Sequence, residues 1–388
     1  MQRTSILQGS GFCEPETVDP SARPRSNGDN PRETMTGLPL FLQPFLTWVT
    51  GMPFVGQRQM LRWTPWTLVL CTLCEITIGI TVGVIALGYR GWLAICLLPI
   101  SWILTTGGIR MFFVVIEHTC THHIFSRTRW VNEVVAEIIS VVFWTQHYAA
   151  FKSEHATHHR ITRMAGDPDT YFLNEWGFSA GMSKKALIRR IISTLFSPKY
   201  HFKIFSERLT YSVSGAKIKI LASPLFIIGM IAAVFWLGIV DYWLIVWIIP
   251  ITILFQCSML LNILTEHRWP QDVMKRDLQE VCFGRFCGEA TPQTEGLPLY
   301  SLVWLWGKWW SRLFFIFLPY RLFVLVGDEP HHDFHHRQPN SDWANASFAR
   351  HEALLLSRTD KYGEYTDEWG SLLDHIYASS SPRQTRLT

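Results

Sequence analysis

Residues 92–123 read WLAICLLPISWILTTGGIRMFFVVIEHTCTHH. From Trp92 to Ile109 the run is apolar and close to the roughly 20 residues that a helix needs to cross a bilayer. Just beyond Arg110 the same stretch carries His118, His122 and His123. If the helix continues past Arg110, His118 stands about 12 Å further along it, at 1.5 Å per residue. A spanning helix thus ends in a cluster of metal-ligand side chains at the edge of the hydrocarbon.

Three more stretches pass the same length test, giving expected spans at about 66–88, 92–109, 218–240 and 242–264. Tyr89, Arg90 and Gly91 join the first pair, and Asp241 alone joins the second. Such short connections make each pair a tight antiparallel hairpin. Both termini and the segment between the hairpins then lie on one side. That segment carries Lys152, Arg160, Arg163, Lys184, Lys185, Arg189 and Arg190 among its basic residues. An excess of Lys and Arg marks the cytoplasmic side, so the active site and both termini are expected in the cytoplasm.

Composition agrees with a multi-pass membrane chain. Of 388 residues 48% are hydrophobic and only 17% charged. The net charge of +4 is too small to suggest nucleic acid, and no basic run is interleaved with stacking aromatics. Residues 1–36 are polar, Pro- and Gly-rich, and read as a disordered tail without a secretory signal. A membrane domain is expected over 37–345 and a cytoplasmic tail over 346–388. Val131–Phe151 and Leu302–Val326 mix apolar, aromatic and charged residues and read as interfacial helices. The Trp/Phe-rich part, Trp304–Phe317, is either a headgroup anchor or part of a path for substrate from the bilayer. Cys71 and Cys74 lie inside an apolar stretch and read as packed thiols, while Cys282 and Cys287 lack a nearby Cys/His partner in sequence. The chain reads as reduced, and the Asn345-Ala-Ser sequon is expected to be unmodified.

Eleven of the 15 histidines fall in four places. Besides the first group, His155, His158 and His159 lie in Glu-His-Ala-Thr-His-His, His267 follows the last span, and His331, His332, His335 and His336 lie in His-His-Asp-Phe-His-His. Residues three and four apart share a helix face. His118 with His122, His155 with His158 and His159, and His332 with His335 and His336 obey that rule. So many imidazoles exceed what one metal takes and imply two. Imidazole suits Fe, Zn, Cu and Ni.

The boxes, in this order and placed around two hairpins, resemble those of the membrane fatty-acid desaturases and related hydroxylases. The resemblance covers about residues 60–345, and Asn262–His267 is similar to the extra histidine segment of that superfamily. It implies an all-α integral membrane fold: four transmembrane helices in two hairpins, with a cytoplasmic helical cap around a histidine-rich di-iron site. It implies two non-haem Fe ions, O2 as co-substrate, a lipid or acyl-chain substrate, and a separate electron-donor protein of ferredoxin or cytochrome type. By position the ligands would be His118, His122 or His123, His155, His158, His159, His267, His332, His335 and His336. Both His122 and His123 fit the variable first box, with helix geometry favouring His122. His331 reads as a bystander.

Ligating imidazoles usually donate their other N–H to a carboxylate or carbonyl. Glu117, Glu154 and Glu266 each precede a box histidine, and Asp167 and Asp169 lie beyond the second box. Each is either such a partner, a metal ligand, or an ordinary solvated or capping carboxylate. Fatty-acyl desaturation is the leading expectation and a hydroxylase or monooxygenase on the same scaffold the alternative. A metal-ion transporter fits less well, because transporters place ionisable ligands within their spans.

Overall fold

The structure is a computed structural model, describing residues 30–89, 91–215, 217–356 and 362–380. It is mostly helical. We label α1 Gln43–Thr50, α2 Pro65–Tyr89, α3 Trp92–Thr121, α4 Arg129–Val142, α5 Tyr148–Arg160, α6 Pro168–Glu175, α7 Lys184–Leu195 and α8 Pro198–Ser212. The chain continues with α9 Lys217–Leu237 and α10 Val240–Glu266. Further on, Leu299–Arg312, Leu313–Phe317 and Leu318–Phe323 run on unbroken as α11. The C-terminal part holds α12 His332–Arg337, α13 Ala346–Leu355 and α14 Leu372–Ser379.

Four helices, α2, α3, α9 and α10, are long and apolar enough to cross a membrane. Their outer faces carry large apolar side chains, among them Ile95 at 75% and Trp236 at 85% exposure, a surface suited to lipid and costly in water. The close approach of α2 and α3 rests on small residues, as in membrane helix pairs. A Cβ added at Gly79 would lie 2.6 Å from Thr105 Oγ1, and one at Gly83 2.5 Å from Ser101 Oγ.

The helix boundaries differ from the expected ones in two instructive places. Helix α3 does not stop near Ile109 but runs to Thr121, because Arg110 is buried rather than terminal, donating from Nη2 to the Val324 carbonyl at 3.1 Å. The break between α9 and α10 falls at Gly238, not Asp241. Gly238 adopts φ 67°, and the Ile239 and Gly238 N–H groups donate back to the Val234 and Phe235 carbonyls, a Schellman cap that a left-handed glycine permits.

Three further segments show structure that the sequence did not spell out. The interfacial helix over Val131–Phe151 is two helices, α4 and α5, parted at 143–147, where Trp144 adopts φ 56°. Arg208 donates to the carbonyls of Phe143 and Trp144, and Lys219 to that of Thr145, which satisfies the backbone at the break. Residues 1–29 of the expected N-terminal tail lie outside the described residues, but residues 30–36 are ordered. Fully buried Arg32 donates to Gln43 Oε1 at 2.7 Å, Thr47 Oγ1 at 3.2 Å and the Met52 carbonyl at 3.0 Å. Residues 346–380 are likewise folded where described. Strands β1 Gly284–Cys287 and β2 Asp367–Gly370 form a short parallel pair within the mostly helical fold, and α14 buries Ile376 against Leu260 and Leu264 of α10. Polar sequence hid these segments because their few buried apolar residues, Met35, Ala346, Ala353 and Ile376, are scattered among buried Arg32 and Arg350.

Two cores flank the site. One packs Ile109, Phe112, Val115 and Ile116 of α3 against Ala136 and Ile139 of α4. The other packs Met35, Leu46 and Val49 against Trp309, Leu313 and Phe317 of α11.

Candidate metal centre

Four chain segments meet at the ends of the apolar helices: the end of α3, the length of α5, the residue after α10, and α12. Before the first box, Phe112–Glu117 takes π-helical geometry. The wider turn shifts the helical phase of His118 and His122, and such segments recur at functional sites.

The ring nitrogens gather into two groups. His118, His122, His155, His159 and His335 each offer one nitrogen within 4.8 Å of the others, and so do His158, His267, His332 and His336. In the first group His155 Nε2 lies 2.8 Å from Nε2 of both His118 and His122, and His335 Nε2 lies 3.1 Å from His159 Nε2. In the second, His158 Nε2 is 3.2 Å from His336 Nε2 and 3.3 Å from His267 Nε2, and His336 Nε2 is 2.9 Å from His332 Nε2. Two ligands each about 2.1 Å from one metal and at right angles lie about 3.0 Å apart. Adjacent residues supply different groups: His158 and His336 belong to one, His159 and His335 to the other. The groups therefore adjoin, and the rings of His159 and His336 stack at 4.2 Å.

Hydrogen bonds at the far ring nitrogens set which face is free. His118 Nδ1 donates to the Val114 carbonyl at 3.2 Å, so its Nε2 carries the lone pair. The Thr162 hydroxyl donates to the His158 carbonyl at 2.8 Å and accepts from His336 Nδ1 at 3.4 Å, which leaves a lone pair on His336 Nε2 as well. Burial and neighbouring imidazoles hold His155, His159, His267, His335 and His336 well below the usual histidine range, and burial with Lys152 takes His122 down to about 4. Neutral rings that aim lone pairs at one another at these distances cannot all be satisfied by shared protons. A divalent cation in each group supplies what the donor set lacks, so the residues present fit a pair of metals.

His158 differs from the rest. Asp167 Oδ1 is 2.8 Å and Asp169 Oδ2 3.3 Å from its Nδ1. Against burial, Asp169 and Asp167 raise it to about 9, and their contacts hold a proton at Nδ1 and orient the ring, so that Nε2 faces the group and gives up its own proton when a cation binds. Asp167 is anchored in turn by the Arg163 N–H and the Thr170 hydroxyl.

Not every candidate joins the groups. His123 adopts φ 58° and points away, its Nε2 2.6 Å from Lys152 Nζ. His331 Nε2 donates to the Gly51 carbonyl at 2.5 Å. Glu117 accepts from the Thr145 hydroxyl at 3.1 Å, and Glu154 from Gln146 at 2.8 Å. Glu266 instead places Oε1 2.6 Å from His332 Nε2. The sequence reading passed over Thr162, one turn beyond His158 and visible by helical spacing. Cys282, which has no Cys/His partner near it in sequence, has its Sγ 3.5 Å from His267 Nδ1 in the fold.

A cavity of about 440 Å³ lies between α2, α3 and the loop after α11. Buried Met111, Val115 and Val326 line it together with Gly327, Val115 lying one turn ahead of His118, and the more exposed Trp48, Leu61 and Trp63 line its other side. Glu75, Arg321 and Asp328 give it a polar flank. Trp304–Phe317 does not line it.

Fold and site together define a helical, membrane-type protein with two adjoining histidine groups fit to hold metal. The chain belongs to the fatty acid desaturase family, whose model matches residues 90–322, taking in the first two boxes and His267 but ending before the third box. The sn-1 oleoyl-lipid 12-desaturase of Synechocystis sp. is 28% identical over 188 residues, 44% of this chain and 52% of the relative. The protein of the same name from Anabaena variabilis is 26% identical over 205 residues, 49% of this chain and 55% of its own. That from Arthrospira platensis is 36% identical over 91 residues, 22% and 25% respectively. At most, the chain spans about half the length of these curated relatives.

Proposed function

We propose that the protein desaturates a fatty-acyl chain, using O2 and two irons held by the nine converging histidines. The observation that carries this reading is the division of His118, His122, His155, His159, His335 and His158, His267, His332, His336 into two adjoining groups of facing lone pairs. When bound, the irons supply oxygen activation and removal of hydrogen from an unactivated C–H bond, chemistry that no side chain provides. The chain's own work is to hold, orient and exclude water. Asp167 and Asp169 fix the His158 ring through Nδ1. The cavity lined by Met111, Val115 and Val326 takes an alkyl chain from the bilayer and presents one carbon to the centre. The membrane-length helices lie in two hairpins, with the centre and both termini in the cytoplasm. Electrons come from a separate ferredoxin- or cytochrome-type protein.

The test is conversion of acyl lipid by the iron-loaded protein in liposomes, with a reducing partner and 18O2. A new double bond without label supports the reading. A labelled alcohol assigns a hydroxylase instead, and no product from an iron-replete protein with any acyl lipid overturns it.

A further inference from the structure

Helix α2 has one charged residue among its 25, Glu75. It stands ten residues in from Pro65, about 15 Å along the helix at 1.5 Å per residue, and so within the apolar length that crosses a bilayer. An ionisable side chain at such a depth is costly unless it pairs or faces a cavity, and it marks a place where a polar group binds or passes. Glu75 lines the cavity of about 440 Å³. A Cβ at Gly107 would come within 3.1 Å of Glu75 Oε1, so the glycine leaves room on α3 for the carboxylate.

The protein itself supplies no partner for that carboxylate. Among the described residues the Glu75 side chain forms neither an ion pair nor a hydrogen bond. Thr72, on the same wall and close to one turn earlier, spends its hydroxyl on the Leu68 carbonyl at 2.8 Å. Arg321, also on the wall, donates from Nε to the Trp48 carbonyl at 3.0 Å and from Nη2 to the Gly327 carbonyl at 2.5 Å, and it forms no ion pair with Glu75. Asp328 adds a second carboxylate to the wall, an acceptor rather than a donor. Leu68, Met111, Val115, Leu322 and Val326 make the rest of this face apolar. The cavity thus joins a wall suited to an alkyl chain to an acceptor that lacks a donor.

We propose that the acyl substrate bears a hydrogen-bond donor, a hydroxyl or an amine, and that Glu75 accepts from it. A plain alkyl segment laid against Glu75 would strand the carboxylate without water or partner, and a site built around a polar group rejects the analogue that lacks it far more strongly than an apolar pocket rejects an extra methylene. Gly107, beside Glu75, precedes His118 on α3 by eleven residues, so the two levels lie about 16 Å apart along the helix. Glu75 therefore sets both the class of substrate and how far its donor group lies from the histidine groups. The inference rests on the reading of this cavity as the substrate's.

The test is binding, which needs neither iron nor turnover. The full chain in nanodiscs is titrated with three tritiated probes of one chain length, an n-alkane, a 1-alkanol and a 1-alkylamine, and binding to empty nanodiscs is subtracted. We expect the alkanol or the alkylamine to bind at least about tenfold more tightly than the alkane, the low end of what one hydrogen bond to a charged group contributes. In Glu75→Leu that preference disappears. Glu75→Gln separates the two donors, because it keeps an acceptor for a hydroxyl and loses the charge that an ammonium group needs. Equal binding of all three probes by the unmutated protein, or a preference that survives Glu75→Leu, overturns the proposal. Should Glu75→Leu not purify, the unmutated protein is treated with an apolar carbodiimide, which adds to carboxyl groups within apolar cavities, and labelling of Glu75 is read by peptide mass spectrometry. The preferred donor probe is expected to slow labelling more than the alkane does. Equal slowing by both, or no labelling without a probe, refutes the assignment. Desaturation of acyl lipid without any preference among the probes would remove this inference and leave the proposed function standing.

Discussion

Nε2 of His158 lies 3.2 Å from Nε2 of His336, although 178 positions separate them in the chain. Helix α5 and helix α12 share no continuous core; what brings them together at this point is a set of ring nitrogens. Removing His158 therefore removes a donor from the centre and leaves the membrane helices untouched. The variant His158→Ala is expected to insert and purify normally, to lose at least half its metal by elemental analysis, and to show activity below detection. Full metal content with full activity would refute the assignment.

Asp167 is expected to matter almost as much without touching a metal. It is fully buried, accepts from His158 Nδ1 at 2.8 Å, and also receives the Arg163 N–H and the Thr170 hydroxyl. Loss of such a partner typically costs 10–100-fold in metal affinity or activity. Asp167→Asn should lose metal to a chelator about 10–100-fold more readily than unmutated protein, as followed by competition titration.

His122 and His123 offer an internal contrast. Only His122 joins a group, with Nε2 2.8 Å from His155 Nε2, while His123 faces Lys152. His123→Ala is expected to keep full metal content and activity within about twofold, and His122→Ala to lose both. Metal analysis of the two variants side by side decides the matter.

Much of this was legible in sequence, for physical reasons. Apolar length marks α2, α3, α9 and α10, and the i, i+3 and i, i+4 spacing of His155, His158 and His159 marks one helix face. What the boxes do to one another was not legible. Nothing in the spacing says that His158 and His159, neighbours in the chain, serve different groups, or that Cys282 stands behind His267. The folded C-terminal segment was hidden for a related reason. Asp333, inside the third box, is buried against Arg350, which bonds Asp333 Oδ2 and Asp367 Oδ1 at 2.6 Å each. Such charge-to-charge burial leaves no hydrophobic periodicity to read.

That pair carries its own expectation. Arg350→Met would leave Asp333 uncompensated at 1% exposure, and breaking a buried pair from one side costs about 3–5 kcal/mol. Because Asp333 sits between His332 and His335, the loss should appear both as a lower melting temperature and as faster metal release.

Gly327 tests the cavity. It adopts φ 54°, and a Cβ there would lie 2.6 Å from Cγ2 of Val115, one turn ahead of His118, and 2.7 Å from Met111 Sδ, two turns ahead. Gly327→Ala combines backbone strain of about 1–3 kcal/mol with a narrower cavity. Activity on long acyl chains is expected to fall at least tenfold with metal content nearly unchanged. Equal turnover of long and short chains would place the substrate elsewhere.

Acid should weaken the fold through His375, which binds no metal. Tyr320 Oη donates to its Nδ1 at 2.8 Å, and its Nε2–H donates to the Glu368 carbonyl at 3.1 Å, so the ring is held neutral where α14 meets β2. Burial pushes it down to about 3, against about 6.5 in an unfolded chain. Below pH ~6.5 the unfolded chain therefore takes up a proton that the folded chain refuses. Stability from this residue is fully present above that pH and falls by about 1.4 kcal/mol per unit as the pH drops toward 3. His375→Gln, which keeps an acceptor and a donor but cannot ionise, is expected to start from a lower melting temperature at pH 7. Its melting temperature should then decline less steeply between pH 6 and pH 4 than that of the unmutated protein, in the same detergent. Parallel declines would show that His375 is already free to protonate in the folded state.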